Sequence, residues 1–250
     1  MDEPLPEPVM AWRFIRRHFV RIVIGVVLAT AVYFAISVYA TYKREQRIAR
    51  ALEAQFEEVT FRYSGPECFP QLLRDRMPFF DRIVGVGAFQ KLKTSRLPPE
   101  VIRELSSLTS LRMLVLRGSK VTDEVLPNLK GLKRLERLHL DYSKITDAGL
   151  RQFDRFTQLV WLGLAGTRVT DAGMEFLKTN TSLVTLDLTD THITDAGLEH
   201  LKGLTNLKIL SLVRTQTTAE GRTLLRKALP NCEIWSETTF GHDVEMETPK

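Results

Sequence analysis

The chain has 250 residues, 44% hydrophobic and 26% charged, the proportions of an ordinary globular protein. A net charge of +5 and a pI near 9.3 raise nucleic acid as a partner. The bases, however, either flank an apolar N-terminal run or scatter over positions such as Lys130, Arg134, Arg151 and Arg155. No basic stripe interleaved with aromatics emerges, and no nucleic-acid partner is expected.

Residues 1–21 form a short basic tail carrying Arg13, Arg16, Arg17 and Arg21. From Ile22 to Ala40 there follow 19 residues without a charge, close to the ~20 needed to cross a hydrocarbon core of ~30 Å. The Ile, Val, Leu and Phe residues of this run contribute about −3 to −6 kcal/mol to insertion, enough to outweigh Thr30 and Ser37. The reading is a single transmembrane helix over residues 22–41. A cleavable signal peptide competes with it, because Val38-Tyr39-Ala40 is a tolerable cleavage site, although the run exceeds the 7–15 residues usual for a signal core. Lys43, Arg44, Arg47 and Arg50 lie on the far side, so the positive-inside count is nearly tied. Four bases crowded into a short tail favour a cytoplasmic N-terminus, with the rest of the chain on the extracytoplasmic side.

Residues 42–58 read as a juxtamembrane helix with Ile48, Leu52 and Phe56 on one face. It either continues the span as a stalk or lies against anionic headgroups. Residues 59–107 form an irregular N-terminal cap. Val59–Tyr63 supplies one strand, stopped by Ser64-Gly65-Pro66, and Arg82–Val86 a divergent first repeat strand. Ile102 and Leu105 fall one period before Leu126 and Leu129, but too far from that strand for a regular repeat.

From residue 108 to residue 235 the chain repeats every 24 residues as L-x-x-L-x-L-x-x-(S/T)-x-(V/I)-T-D-A-G-L-x-x-L-x-x-L. Three columns carry the register: Leu111, Leu135, Leu159, Leu183 and Leu207; Leu114, Leu138, Leu162, Leu186 and Leu210; Leu116, Leu140, Leu164, Leu188 and Leu212. A unit of this kind cannot bury its own leucines, so neighbours must stack to build a core. L-x-x-L-x-L predicts a short parallel strand and A-G-L-x-x-L-x-x-L a short helix with one buried face. Ile234, one period after Leu210, predicts a closing strand, and residues 236–250 form a polar tail. Cys68 and Cys232 sit at opposite ends of the stack and cannot pair with each other, because at least five strands at about 4.8 Å separate them.

These units, together with the N-terminal span and the Pro66-containing segment, resemble bacterial membrane-anchored leucine-rich-repeat proteins, and the T-D-A-G-L repeats resemble the ribonuclease-inhibitor-like class. The resemblance implies an α/β solenoid, a curved parallel sheet with short helices on the convex side. It also implies a protein-interaction scaffold with no catalytic residues and no cofactor. Where such repeats often carry Asn, this chain has Ser119, Ser143, Thr167, Thr191 and Thr215, and hydroxyls are expected to maintain the buried ladder in weaker form.

Asp147, Asp171 and Asp195 precede Ala-Gly-Leu or Ala-Gly-Met, where a carboxylate caps the N–H groups of the helix that follows. Gly149, Gly173 and Gly197 allow close approach of neighbouring helices or ease the turn. A row of aspartates also suggests calcium, but each is committed to a cap, and no metal is expected. Chemistry finds little support. His139 and Asp141 alternate on one strand without a partner nucleophile, and no nucleophile elbow, H-E-x-x-H or phosphate-binding loop occurs. The chain is not read as an enzyme.

Strand alternation points the non-leucine positions of L-x-x-L-x-L outward onto the concave face. There Trp161 neighbours Gly163, Ala165 and Gly166, with Arg137, His139, Asp141 and Tyr142 on the preceding strand and Asp187 on the following one. Trp, Tyr and Arg are enriched at interface hot spots, so these six residues are the expected binding set for a protein partner. Trp161 packing over its small neighbours is the competing reading. An envelope polysaccharide, stacking on Trp161 and Tyr142, is the alternative ligand.

Overall fold

The computed structural model describes residues 7–55, 59–64, 82–88, 103–118 and 121–237. Cys68, Ile102, Ser119 and the tail from residue 238 lie outside them. The described chain up to Arg44 belongs to one compact unit, and from Glu45 onward to a second.

The expected span and juxtamembrane helix are one element, α1 (Glu7–Gln55). Within it Val26–Ala51 is long and apolar enough to cross a membrane. Val26, Val27, Leu28, Val32, Phe34 and Ile36 are each more than half exposed. Further along, Ile48 and Ala49 are buried in the repeat core.

Eight strands form one sheet in sequence order. β1 (Val59–Ser64) runs antiparallel to β2 (Arg82–Ala88), and every later pairing is parallel. The later strands are β3 (Met113–Leu116), β4 (Arg137–His139), β5 (Trp161–Gly163), β6 (Thr185–Asp187), β7 (Ile209–Ser211) and β8 (Glu233–Trp235). Met113, Arg137, Trp161, Thr185, Ile209 and Glu233 are in register across six of them. Val86 pairs with Leu114, a longer step than the 24 residues of the later repeats, as the irregular spacing before Leu108 predicts. This is a leucine-rich-repeat fold: a parallel sheet, short helices returning between strands, and a core in which the fifteen residues of the three leucine columns are at most 2% exposed.

The returning segments are short: α2 (Asp147–Leu150), α3 (Asp171–Met174), α4 (Asp195–Leu201) and α5 (Ala219–Ala228). In the first repeat Asp123–Gly131 is a 3-10 helix containing Pro127, a residue that cannot donate to a helical ladder.

The aspartates do not cap these helices. The N-cap residues are Thr146, Thr170 and Thr194, and each aspartate reaches across to the next repeat. Asp147 accepts from the backbone N–H and the hydroxyl of Thr170 at 2.8 and 2.7 Å. Asp171 does the same to Thr194 and Asp195 to Thr218. Asp123, which the sequence reading passed over, binds Thr146 in this way. The Thr146 and Thr194 hydroxyls then accept from the N–H of Ala148 and Ala196, so the cap is a relay, carboxylate to hydroxyl to helix.

The same carboxylates explain the glycines. A Cβ on Gly149, Gly173, Gly197 or Gly221 would collide with Oδ1 of Asp123, Asp147, Asp171 or Asp195 respectively. The close approach expected of these glycines is therefore to a side chain of the preceding repeat.

The hydroxyl column also differs from expectation. Thr167, Thr191 and Thr215 donate to Leu164, Leu188 and Leu212, each three residues back in its own repeat. They close a turn and leave inter-repeat bonding beside this column to the backbone, as in Arg168 N–H to Ile145 O and Gln216 N–H to Ile193 O.

Gly197→Ala is expected to cost about 1–3 kcal/mol by overpacking, and Asp171→Ala about 1–3 kcal/mol by stranding the Thr194 donors. The double substitution should cost clearly less than the sum, because alanine at 171 vacates the space the new methyl needs. Urea denaturation of the four chains gives the coupling; strictly additive losses would mean that the carboxylate is not what enforces glycine.

Candidate partner-binding face

After each of β3 to β7 the backbone turns through a left-handed residue. Gly118, Tyr142, Gly166, Asp190 and Arg214 all have φ between 54° and 113°. Non-glycine residues held there cost of order 1–3 kcal/mol each. The turn aims the N–H groups of Gly118, Tyr142, Gly166 and Asp190 at the carbonyls of Asp141, Ala165, Thr189 and Val213 in the next repeat. It also sets three large or charged side chains along one rim of the concave face.

Trp161 does not stand free on this face. Its indole folds along its own strand, so that a Cβ on Gly163 would come within 2.6 Å of Cζ3. It also stacks on the His139 ring at 3.6 Å between centroids and 25° between planes. Tyr142 is 55% exposed, with its ring over Gly166, where a Cβ would meet Cδ1 at 2.6 Å. Glycine at 166 thus satisfies both the positive φ and the ring.

Asp141 is not available to a partner: it is 1% exposed. Its Oδ2 accepts from Arg117 Nε at 2.8 Å and its Oδ1 from the Ala165 N–H at 3.2 Å. Burial alone would raise its carboxyl above the ordinary 3.8. The His139 imidazole, the Arg117 guanidinium and the Ala165 amide outweigh burial and hold it lower. His139 Nδ1 lies 3.8 Å from Asp141 Oδ2, too long for a hydrogen bond, and is buried without another partner. Asp141 therefore ties three successive repeats together from below the face.

A groove of about 570 Å³ opens further towards the C-terminal end of the sheet. Trp161 and Trp235 stand at its two ends, three strands apart, or about 14 Å at 4.8 Å per strand. Ile209, Val213, Thr185, Tyr142 and Arg214 are among the residues that line it. Thr189 and Ser211 share a hydroxyl–hydroxyl bond of 2.7 Å, and Asp187 Oδ1 accepts from the Thr189 N–H. Of the six expected binding residues, the groove gathers Tyr142, Trp161 and Asp187. Arg137 is exposed on β4 and makes no ion pair among the described residues, while His139 stacks against Trp161 and Asp141 is buried in its bonds to Arg117 and Ala165. Trp235 and Arg214 stand outside the expected binding set, although Trp235 falls one period after Ser211 and Arg214 three periods after Tyr142 on the outward face.

Among the described residues no group of His, Cys, Asp and Glu is arranged to hold a metal ion. The Cys232 thiol is pushed up to about 11, first by burial and then by Glu233, which keeps it protonated at neutral pH and a poor nucleophile.

The family model described as leucine-rich repeat matches residues 179–202, the span of a single repeat. No protein of curated function matches the chain. Among solved structures, the chain is similar to an internalin (inlF) of Listeria monocytogenes at 24% identity, over 54% of this chain and 44% of that one, with a TM-score of 0.39. It is also similar to an internalin C2 of the same organism at 22% identity, over 62% and 80%, with a TM-score of 0.43. A leucine-rich-repeat protein of Leptospira interrogans matches at 24% identity, over 53% and 33%, with a TM-score of 0.42. The matched part thus spans less than half of the first internalin.

Asp141→Asn is expected to lower stability by about 1–3 kcal/mol at neutral pH, through its weakened bond to Arg117. A depressed carboxyl stabilises the fold fully above its unfolded value and loses that contribution as pH falls through its folded value. The gap between parent and variant should therefore be flat at neutral pH and narrow below pH 3.8. Denaturation midpoints of the two chains across that range check this.

Proposed function

We propose that the chain is a membrane-anchored binding module whose protein partner docks on the concave face, with its anchoring side chains in the groove between Trp161 and Trp235. The groove is the observation that carries this reading. The leucines of β3 to β7 are turned inward and buried, yet the opposite face gathers two indoles, a tyrosine, an arginine and the Ile209 and Val213 side chains around one hollow. Interfaces concentrate their energy in such aromatic and arginine clusters. A repeat sheet offers them on a rigid surface that binding need not order.

The anchoring half of the reading rests on α1. Six apolar side chains between Val26 and Ile36 that are more than half exposed make a surface that water disfavours at about 25 cal/mol per Å², and a helix of this length and composition satisfies it by crossing a bilayer. Four arginines in the first 21 residues support a cytoplasmic N-terminus, which leaves the repeats extracytoplasmic.

Two measurements test the halves separately. A photo-crosslinking residue at Thr185 should capture one partner species in living cells, with capture lost on Ile209→Glu; one at Lys202, the C-cap of α4, should capture none. Equal capture from both sites would remove the concave face from the reading. A protease applied to intact cells should cleave a tag fused after Lys250, and protection until lysis would put the repeats in the cytoplasm.

A further inference from the structure

The groove sits at the end of the sheet from which the chain departs. β8 closes with Trp235, which forms one end of the groove, and the described chain continues only to Glu237. The next thirteen residues read Thr238-Thr239-Phe240-Gly241-His242-Asp243-Val244-Glu245-Met246-Glu247-Thr248-Pro249-Lys250. They carry one aromatic side chain three positions after Glu237, then an alternation of acidic and apolar residues.

We infer that this segment is an intramolecular ligand of the groove, with Phe240 between Trp235 and Trp161 and the acidic residues directed to the arginines of the concave face. The inference rests on the reading of the groove as a site for protein segments.

Reach permits it. Three extended residues from Glu237 cover about 10 Å, enough to bring Phe240 over Val213 and Ile209, one strand in from Trp235. Arg137 lies four strands from β8, about 19 Å, and six to ten extended residues bring Asp243, Glu245 and Glu247 that far.

Charge and shape agree. Arg214 is half exposed at the rim, where among the described residues it pairs with Asp190 at 3.6 Å, an open pair that contributes little. Arg137 makes no ion pair among the described residues. Asp187 is the one carboxylate among the groove's lining residues, and it is already turned to the Thr189 N–H. Met246 and Phe240 suit an aromatic-walled hollow, since thioethers and rings both pack favourably on indoles.

Tethering makes even weak affinity sufficient. A short flexible tether gives a local concentration in the millimolar range, so a segment that binds with a Kd of about 100 µM when free would occupy the groove about ten to one. An external partner would then compete with the tail, and removing the tail would raise its apparent affinity by roughly the same factor of ten.

The test uses full-length protein carrying Trp12→Phe, so that Trp161 and Trp235 are the only indoles, compared with the same chain ending at Glu237. Truncation should raise acrylamide quenching of the indole emission, and Phe240→Ala in the full chain should reproduce the rise. A synthetic peptide of residues 238–250 added to the truncated chain should reverse it, less effectively in 0.5 M salt (roughly half the low-salt screening length) or against Arg137→Glu. Unchanged quenching on truncation, with no effect of the peptide, would overturn the inference. An effect that appears only as protein concentration rises would place the tail on a second copy and overturn the intramolecular assignment. Either failure leaves the partner site intact if Ile209→Glu still abolishes crosslinking from Thr185.

Discussion

On the helix side of the stack, one carboxylate locks each regular repeat to the next. Asp123, Asp147, Asp171 and Asp195 each accept two hydrogen bonds from a threonine of the following repeat, and each occupies space that a glycine leaves open. The leucine columns provide the bulk of the stabilisation, about 2–5 kcal/mol per buried leucine judged by truncation, but apolar contact is tolerant of small rotations between units. The aspartate contact is not, because two directional bonds and a steric limit fix the helix of one repeat against the next. The strand ladder fixes the register on the concave side, and the aspartate contact fixes the spacing of the repeats on the other.

How legible these features are depends on what each asks of the chain. Leucine periodicity is visible because burial of one face must recur with every unit, and the three columns are all found inside. The sequence does not separate the roles of these aspartates and threonines, because both are good N-cap residues and they stand side by side from Thr122-Asp123 to Thr194-Asp195. Composition alone does not tell which of the two turns to its own helix. A clue was present. Position 125 is Val, and the residue one period before Asp123 is Pro99; glycine takes over that column only where the preceding repeat supplies an aspartate.

The candidate site shows a similar division. That Tyr142, Trp161 and Asp187 share a face follows from alternation along strands. That Asp141 sinks below the face, and that the Trp161 indole leans over Gly163 onto His139, are choices among rotamers governed by neighbours in space. Trp161 nevertheless keeps a side towards the groove, so packing against its small neighbours and lining a binding surface are compatible. Its orientation is set by the His139 ring behind it, an arrangement that limits the side-chain freedom a partner would otherwise have to freeze.

The aspartate, threonine and glycine tie has a consequence for how such a chain grows. Every junction between the first and last regular repeats presents the same donor, acceptor and gap, so a duplicated block of one period inherits a matching contact on both sides wherever it lands in the series. Unequal exchange between repeats can therefore lengthen or shorten the array without redesigning any interface. The two ends are exempt: Pro99 and Ala219 occupy the aspartate column there, which confines viable changes in length to the interior.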